Sequence, residues 1–193
     1  MRTAGVVFAA GASRRMAGTN KMLLALDGQP LVRRAAQCAL DAGLSPVVVV
    51  VGFEEPRVRD ALAGLNVTFA VNPAYEGPMS GSMHAALGVL SDDADGVVVV
   101  LGDMVHVTAD MVRAVADTGT SSAAPIVVSR YGDVNAPPIL FKRSVFRELL
   151  AWTGEGCGKP VVRDHAHEAA YCDWPVEHLA DVDTDEDWTR IAK

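Results

Sequence analysis

Ala4–Ala9, Val47–Val51 and Val97–Leu101 are runs without a single polar side chain. A strand with one wet face alternates apolar and polar positions, so unbroken runs of this length predict strands buried on both faces of a parallel sheet. Amphipathic segments separate them. Pro30 to Ala42 reads as a helix, with Pro30 suited to a first helical position and Gly43 to the position just past its end. Arg57 to Ala63 reads as a second helix, Val67 to Val71 as a strand, and Ser82 to Leu90 as a third helix. Thr108 is placed to cap the helix after the last apolar run.

Beyond Pro125 the pattern loosens. "APIVVSRY" and "PPILF" read as strands, Ser144 to Trp152 as a helix, and "GEGCGK" as a glycine-rich turn. Thr184 and Asp187 have the spacing of a capping box for a last short helix. The alternation of strand and helix predicts a three-layer, Rossmann-like α/β fold, a mostly parallel sheet with helices on both faces. No linker or repeat divides it, so residues 1–193 are expected to form a single domain. Ligands of such sheets bind beyond the carboxyl ends of the strands, which puts the loops at 11–21 and 102–106 on one side.

Half of the 193 residues are hydrophobic and the net charge is −7, which opposes general nucleic-acid binding. No segment approaches the roughly 20 apolar residues of a membrane span. The N-terminal "MRTAGVVFAAGAS" has the outline of a weak secretory signal, but its arginines follow the apolar run and it reads equally as a buried first strand. Cys38, Cys157 and Cys172 form no C-x-x-C pair, so neither a disulfide framework nor a zinc knuckle is indicated, and a cytoplasmic location is expected.

Local charge departs from the acidic whole. "FAAGASRRMAGTNK", Phe8 to Lys21, packs two glycines, two arginines and a lysine behind the first strand. Glycines let backbone N–H groups approach an anion, and the cations neutralise it. The stretch lacks both the Gly-Lys-Ser/Thr ending of the Walker loop and the G-x-G-x-x-G of dinucleotide folds. A longer loop carrying its own cations suits a triphosphate; a solvated surface turn is the plain alternative. Asp103 ends the third apolar run, where it offers a hard oxygen to Mg²⁺ or simply closes a turn. Ser80 and Ser82 suit donation to a base or phosphate, or helix capping, and Asn72 suits a ribose or an Asn-Pro turn. His165 and His167 lack a third metal ligand at sensible spacing and read as surface or acceptor-site histidines. Cys157, between two glycines, is a candidate reactive thiol.

"AAGASRRM" followed by "NK" resembles the L-A-A-G-x-S-x-R-M-G…K signature of the MobA-like nucleotidyltransferases, which include molybdenum-cofactor cytidylyl- and guanylyltransferases. "VNPAYEGPMSGSMHAAL" resembles the family's segment around the nucleotide base, "VLGDM" its metal-binding aspartate and "DVDTDED" its C-terminal acidic motif. The resemblance implies a nucleotide-diphospho-sugar transferase type of fold, its N-terminal part binding nucleotide and its C-terminal part the acceptor. It implies that Ala9, Ala10, Gly11, Ala12 and Ser13, with Asn72, Ser80 and Ser82, line the nucleotide. Arg15 and Lys21 would hold the triphosphate and act in catalysis with Asp103, and Asp103 and Asp183 would bind Mg²⁺. The acids around Asp183 equally suit a helix N-terminus. The double alanine at Ala9 and Ala10 leans toward CTP, hence transfer of CMP to a phosphorylated acceptor such as molybdopterin, with a molybdoenzyme or its maturation factor as partner.

The family's Gly-His-Pro stands here as "NAPP", and its Gly-Asp-x-Gly-Ala-Arg as "GEGCGK". Both departures fall in the acceptor half, where Lys159, Arg163 and Arg130 are the candidate cations for an acceptor phosphate. An NAD(P)-dependent oxidoreductase on the same scaffold and a non-catalytic nucleotide-binding protein are the competing functions.

Overall fold

The structure, a computed structural model, describes residues 1–16 and 18–192. In chain order its elements are β1 (Thr3–Phe8), a short ribbon of β2 (Ala25–Leu26) and β3 (Gln29–Pro30), α1 (Leu31–Asp41), β4 (Val47–Val51), α2 (Glu55–Ala61), β5 (Thr68–Val71), α3 (Ser80–Val89), β6 (Gly96–Leu101), α4 (Ala109–Ser121), β7 (Ile126–Tyr131), β8 (Val134–Lys142), α5 (Phe146–Ala151), α6 (Lys159–Asp164), β9 (Ala170–Trp174) and α7 (Asp185–Ile191).

The three apolar runs become the centre of one seven-stranded sheet, ordered β5-β4-β1-β6-β8-β7-β9. β1 pairs in parallel with β4 on one side and β6 on the other. Among these strands only β8 runs against its neighbours. Helices cover both faces, so each strand feeds two cores with alternate side chains. Val6, Val48, Val50, Val97 and Val99 face α3, α5 and α6, packing with Met83, Ala86, Leu149 and Val162. Val7, Val49, Val98 and Val100 face α1, α2 and α4, packing with Val32, Ala36, Val58, Val112 and Val115. The expected three-layer, mostly parallel α/β architecture is the one observed. No helix among the described residues is long and apolar enough to cross a membrane.

Local signals act largely as read. Gly43 has φ +83, and Gly43 N–H and Leu44 N–H bond to the carbonyls of Leu40 and Ala39, closing α1. Thr108 accepts from Met111 N–H at the start of α4, and Thr184 with Asp187 forms the full capping box of α7. Pro30 differs by one place: it is the cap of α1 rather than its first helical residue. The reversal of β8, the short α6 and the edge strand β9 go beyond the sequence reading. β9 is only half-buried, so "AYCDW" carries neither a solid apolar run nor clean alternation.

Candidate functional site

β1 and β6 are adjacent and parallel, so the loops at their carboxyl ends open on the same side of the sheet. After β1 the chain turns at Ser13, whose φ is +50 and whose Oγ accepts the Lys21 N–H at 3.0 Å. Asn20 is buried. Its side chain accepts the Met22 N–H at 3.0 Å and donates to the Phe53 carbonyl, which fixes a single 3₁₀ turn over Lys21–Leu23. That turn lies directly on the end of β6. A Cβ on Gly102 would stand 2.6 Å from Met22 Sδ and 3.1 Å from the Phe8 carbonyl oxygen, so the glycine gives the Met22 side chain room against the end of β6.

The close approach brings Lys21 to Asp103. Its Nζ is 2.5 Å from Asp103 Oδ2 and 2.9 Å from Asp183 Oδ1. Asp183 arrives from the far end of the chain because Val105 N–H bonds to the Ala180 carbonyl and Val182 N–H to the Asp103 carbonyl. Arg15 reaches the other oxygen of Asp183 at 2.9 Å. Burial alone would lower the Lys21 pKa, but Asp103 and then Asp183 outweigh it and hold the ammonium above its ordinary value. The pair of carboxylates converging on one cation is a donor set that suits a hard divalent ion such as Mg²⁺ or Mn²⁺.

Two hollows meet at this cluster. One, of about 170 Å³, lies between the β1 end and the segment before α3, walled by Ala10, Gly11, Asn72, Tyr75, Pro78 and Ser82, with Lys21 and Asp103 also on its wall. The other, of about 310 Å³, is more polar and lies over Gly11 to Arg15, closed by Tyr75, Gly77 and Asp183. Arg14 spans the opening through its bond to the Glu76 carbonyl at 2.9 Å.

Of the residues read from sequence, the structure brings Ala10 to Ser13, Arg15, Lys21, Asn72, Ser82, Asp103 and Asp183 to this crevice. Two others are elsewhere. Ala9 points into the core on the α1 face, its N–H bonded to Val50. Ser80 is buried, and its hydroxyl accepts the Gly154 N–H at 3.1 Å, so it serves the loop before α6 rather than the crevice. Asn72 and Ser82 also carry structure: Asn72 accepts the Ala74 N–H and donates to Ser82 Oγ. Glu155, Tyr75 and Met79, which the sequence reading did not single out, line the crevice as well. The signal for Glu155 lay in "GEGCGK", which places an acid where the related pattern has one.

A third cavity of about 360 Å³ adjoins the first, sharing Met79 and Leu101 with it. Its walls are mostly apolar, from Ile139, Pro137, Val162 and Met104, with Lys159 and Asp181 as the charged side chains. Burial raises the Asp181 pKa, and the nearby Asp183 and Asp103 carboxylates raise it further. Of the three candidate acceptor cations, only Lys159 faces this cavity. Arg130 is held in a two-pronged pair with Asp173 at 2.6 and 3.0 Å on the sheet, and the exposed Arg163 pairs with Asp164. Cys157 also lines it, but burial pushes its thiol up to about 12, and it sits 3.1 Å from Met79 Sδ as a packing group, not as a thiolate. His165 is bound between Glu148 and Glu168, and no group of metal-ligating side chains of three or more exists among the described residues.

The profile of the MobA-like NTP transferase domain matches residues 5–169. A molybdenum cofactor guanylyltransferase of Cereibacter sphaeroides is 28% identical over 178 residues, covering 92% of this chain and 89% of its own. The crystal structure of Rv0371c from Mycobacterium tuberculosis H37Rv superposes with a TM-score of 0.88 at 29% identity, covering 100% of this chain and 98% of that one. A complex of Rv0371c with manganese superposes with a TM-score of 0.81 at 28% identity, with the same coverage. The named activity of the Cereibacter relative is guanylyl transfer, so the lean toward CTP finds no support there.

Proposed function

Because the chain belongs to the MobA-like NTP transferase family, as its match over residues 5–169 shows, we propose that it moves a nucleoside monophosphate from an NTP to a phosphorylated acceptor. The observation that carries this reading is the meeting of Arg15, Lys21, Asp103 and Asp183 at the mouth of the glycine-rich loop. An acceptor phosphate oxygen attacks the α-phosphorus in line, the bond from the α-phosphorus to the bridging oxygen breaks, and pyrophosphate leaves. The protein supplies no nucleophile in such a transfer. Its work is placement and neutralisation of charge where it builds up.

The backbone of Gly11 to Ser13 would cradle the triphosphate, with Arg15 and Lys21 on its outer oxygens. Asp103 and Asp183 would hold the divalent ion, Mg²⁺ in the cell, which supplies Lewis-acid neutralisation of the phosphate oxygens when bound. The base and ribose would lie between Ala10 and the Asn72–Ser82 segment. The acceptor would lie in the adjoining cavity, its phosphate toward Lys159 and its body against the apolar wall. An apolar wall for the faces of a ring, Lys159 for a phosphate, and Asn135 and Asp181 for polar ring edges suit a flat heterocyclic monophosphate such as molybdopterin. The N-terminal part of the single domain thus serves the nucleotide and the C-terminal part the acceptor.

Two bases have separate support: GTP from the name of the Cereibacter relative, and CTP from the double alanine at Ala9 and Ala10. Ala9 faces the core, which leaves Ala10 alone to touch a nucleotide and weakens the second argument. GTP is the better supported of the two. The test is pyrophosphate release from each of the four NTPs with Mg²⁺ or Mn²⁺ and molybdopterin. Turnover with one purine or pyrimidine triphosphate supports the reading and fixes the base. An absence of metal-dependent pyrophosphate release from every NTP, with molybdopterin and sugar phosphates both supplied, would overturn it.

A further inference from the structure

The nucleotide crevice holds a countercharge of its own. Lys21 Nζ sits 2.5 Å from Asp103 Oδ2 and 2.9 Å from Asp183 Oδ1, the point on which both carboxylates converge. A divalent ion bound by these two acids would need that same point. We propose that Lys21 is a built-in stand-in for the ion: in the ligand-free protein its ammonium neutralises the carboxylate pair, and it yields the place only when a triphosphate offers it other oxygens. This inference rests on the nucleotidyl-transfer reading of the site and adds an order to it, since the ion and the nucleotide then enter together.

The surroundings make the exchange mechanically simple. The Lys21 backbone is pinned by Ser13 Oγ and by the 3₁₀ turn capped by Asn20, so only the side chain needs to move. Its four-carbon stem carries a compact charge on rotatable bonds, and the hollow over Gly11 to Arg15 lies beside it. Leaving is costly without a new partner. The ammonium is largely buried, and two partly buried carboxylates stripped of any cation would repel each other. An ammonium and a divalent ion at one point would repel still more strongly. Arg15 follows the same logic on the outer side, because Asp183 Oδ2 holds it until phosphate oxygens compete. Linkage then requires that nucleotide tighten ion binding by the factor by which the ion tightens nucleotide binding.

The experiment titrates nucleotide-free protein with Mn²⁺ and reads the free ion by electron paramagnetic resonance, in wild type, Lys21→Met, Lys21→Gln and Lys21→Arg. Removing the ammonium should tighten Mn²⁺ binding by roughly tenfold or more in both neutral variants, since a competing charge at ion-pair distance is lost. Lys21→Arg keeps a cation and should bind no more tightly than wild type. Adding Asp103→Asn to Lys21→Met should abolish the gain. Equal or weaker Mn²⁺ binding in both folded neutral variants, or a gain that survives Asp103→Asn, would overturn the inference. Metal-dependent pyrophosphate release by wild type is measured separately, so the transfer reading can stand while this exchange falls.

Discussion

Asp103 owes its place to two residues that do no chemistry. Gly102 lets Met22 pack on the end of β6, and Asn20 fixes the turn that delivers Lys21. Asp103→Asn keeps the shape and removes the charge, so the fold should persist while charge neutralisation at the phosphates is lost. By the scale of lost transition-state stabilisers, kcat should fall by roughly 10²-fold or more, read as pyrophosphate release. A variant with an unaltered rate would remove Asp103 from the mechanism. Gly102→Ala tests the scaffold: a Cβ 2.6 Å from Met22 Sδ and 3.1 Å from the Phe8 carbonyl oxygen displaces the Met22 side chain that packs under the Lys21 turn, so NTP affinity should fall with only a modest change in melting temperature. Isothermal titration reads the affinity, and an unchanged value would show that the turn tolerates the methyl group. That Asp103 and Lys21 share one crevice was legible in sequence, because the doubly apolar runs fix where β1 and β6 end and the loops that follow must open on the same side. Ser80 was not. A serine at a helix start looks the same whether it faces a ligand or, as here, accepts a backbone N–H from a loop 74 residues away.

At the scale of elements, that loop is fastened to the head of α3 by four bonds. Ser80 N–H donates to the Gly154 carbonyl, Gly154 N–H to Ser80 Oγ, Met79 N–H to Glu155, and Cys157 N–H to Met79 Sδ. The segment before α3 and the loop before α6, which line adjoining cavities, are therefore one unit. Ser80→Ala leaves the partly buried Gly154 N–H without its partner and should cost about 0.5–1.5 kcal/mol in chemical denaturation; a loss near zero would mean that water replaces the hydroxyl. A second fastening joins α5 to the end of α6, where His165 lies between Glu148 at 2.8 Å and Glu168 at 2.5 Å. The hydrogen bonds to these carboxylates raise its pKa, Glu148 first. A raised folded value means that the stabilisation is complete below the unfolded value of about 6.5 and is lost as pH rises through the folded one. The melting-temperature gap between wild type and His165→Asn should thus be wider at pH 5.5 than at pH 9, and a gap that widened with pH would contradict it. The elements read well where burial is two-sided, as in β1, β4 and β6. Beyond Pro125, β7, β8 and α5 stand where the pattern put them, but α6 and β9 do not show in it, and the direction of β8 and the pairing of the half-buried β9 are set by distant neighbours rather than by any local pattern.

Across the whole molecule, the alternating chain Arg15–Asp183–Lys21–Asp103 ties the N-terminal loop and the end of β6 to the segment before α7. Three distant parts of the sequence thus share one electrostatic joint, which a bound nucleotide and divalent ion would rebuild together. Ligands that bind only the folded protein stabilise it by mass action, about 2.7 kcal/mol at one hundred times the dissociation constant. For a chain of this length each kcal/mol moves the melting temperature by about 2–4 °C, so the active NTP with Mg²⁺ should raise it by about 5–10 °C. The shape of the response matters more than its size. If the two ligands share the joint, the shift with both present exceeds the sum of the shifts with either alone, because each prepares the other's site. Asp103→Asn should reduce that excess toward zero while leaving a smaller shift from the nucleotide on the glycine-rich loop. Purely additive shifts in differential scanning fluorimetry, or an excess that Asp103→Asn leaves intact, would mean that the nucleotide and the ion bind at places this joint does not connect.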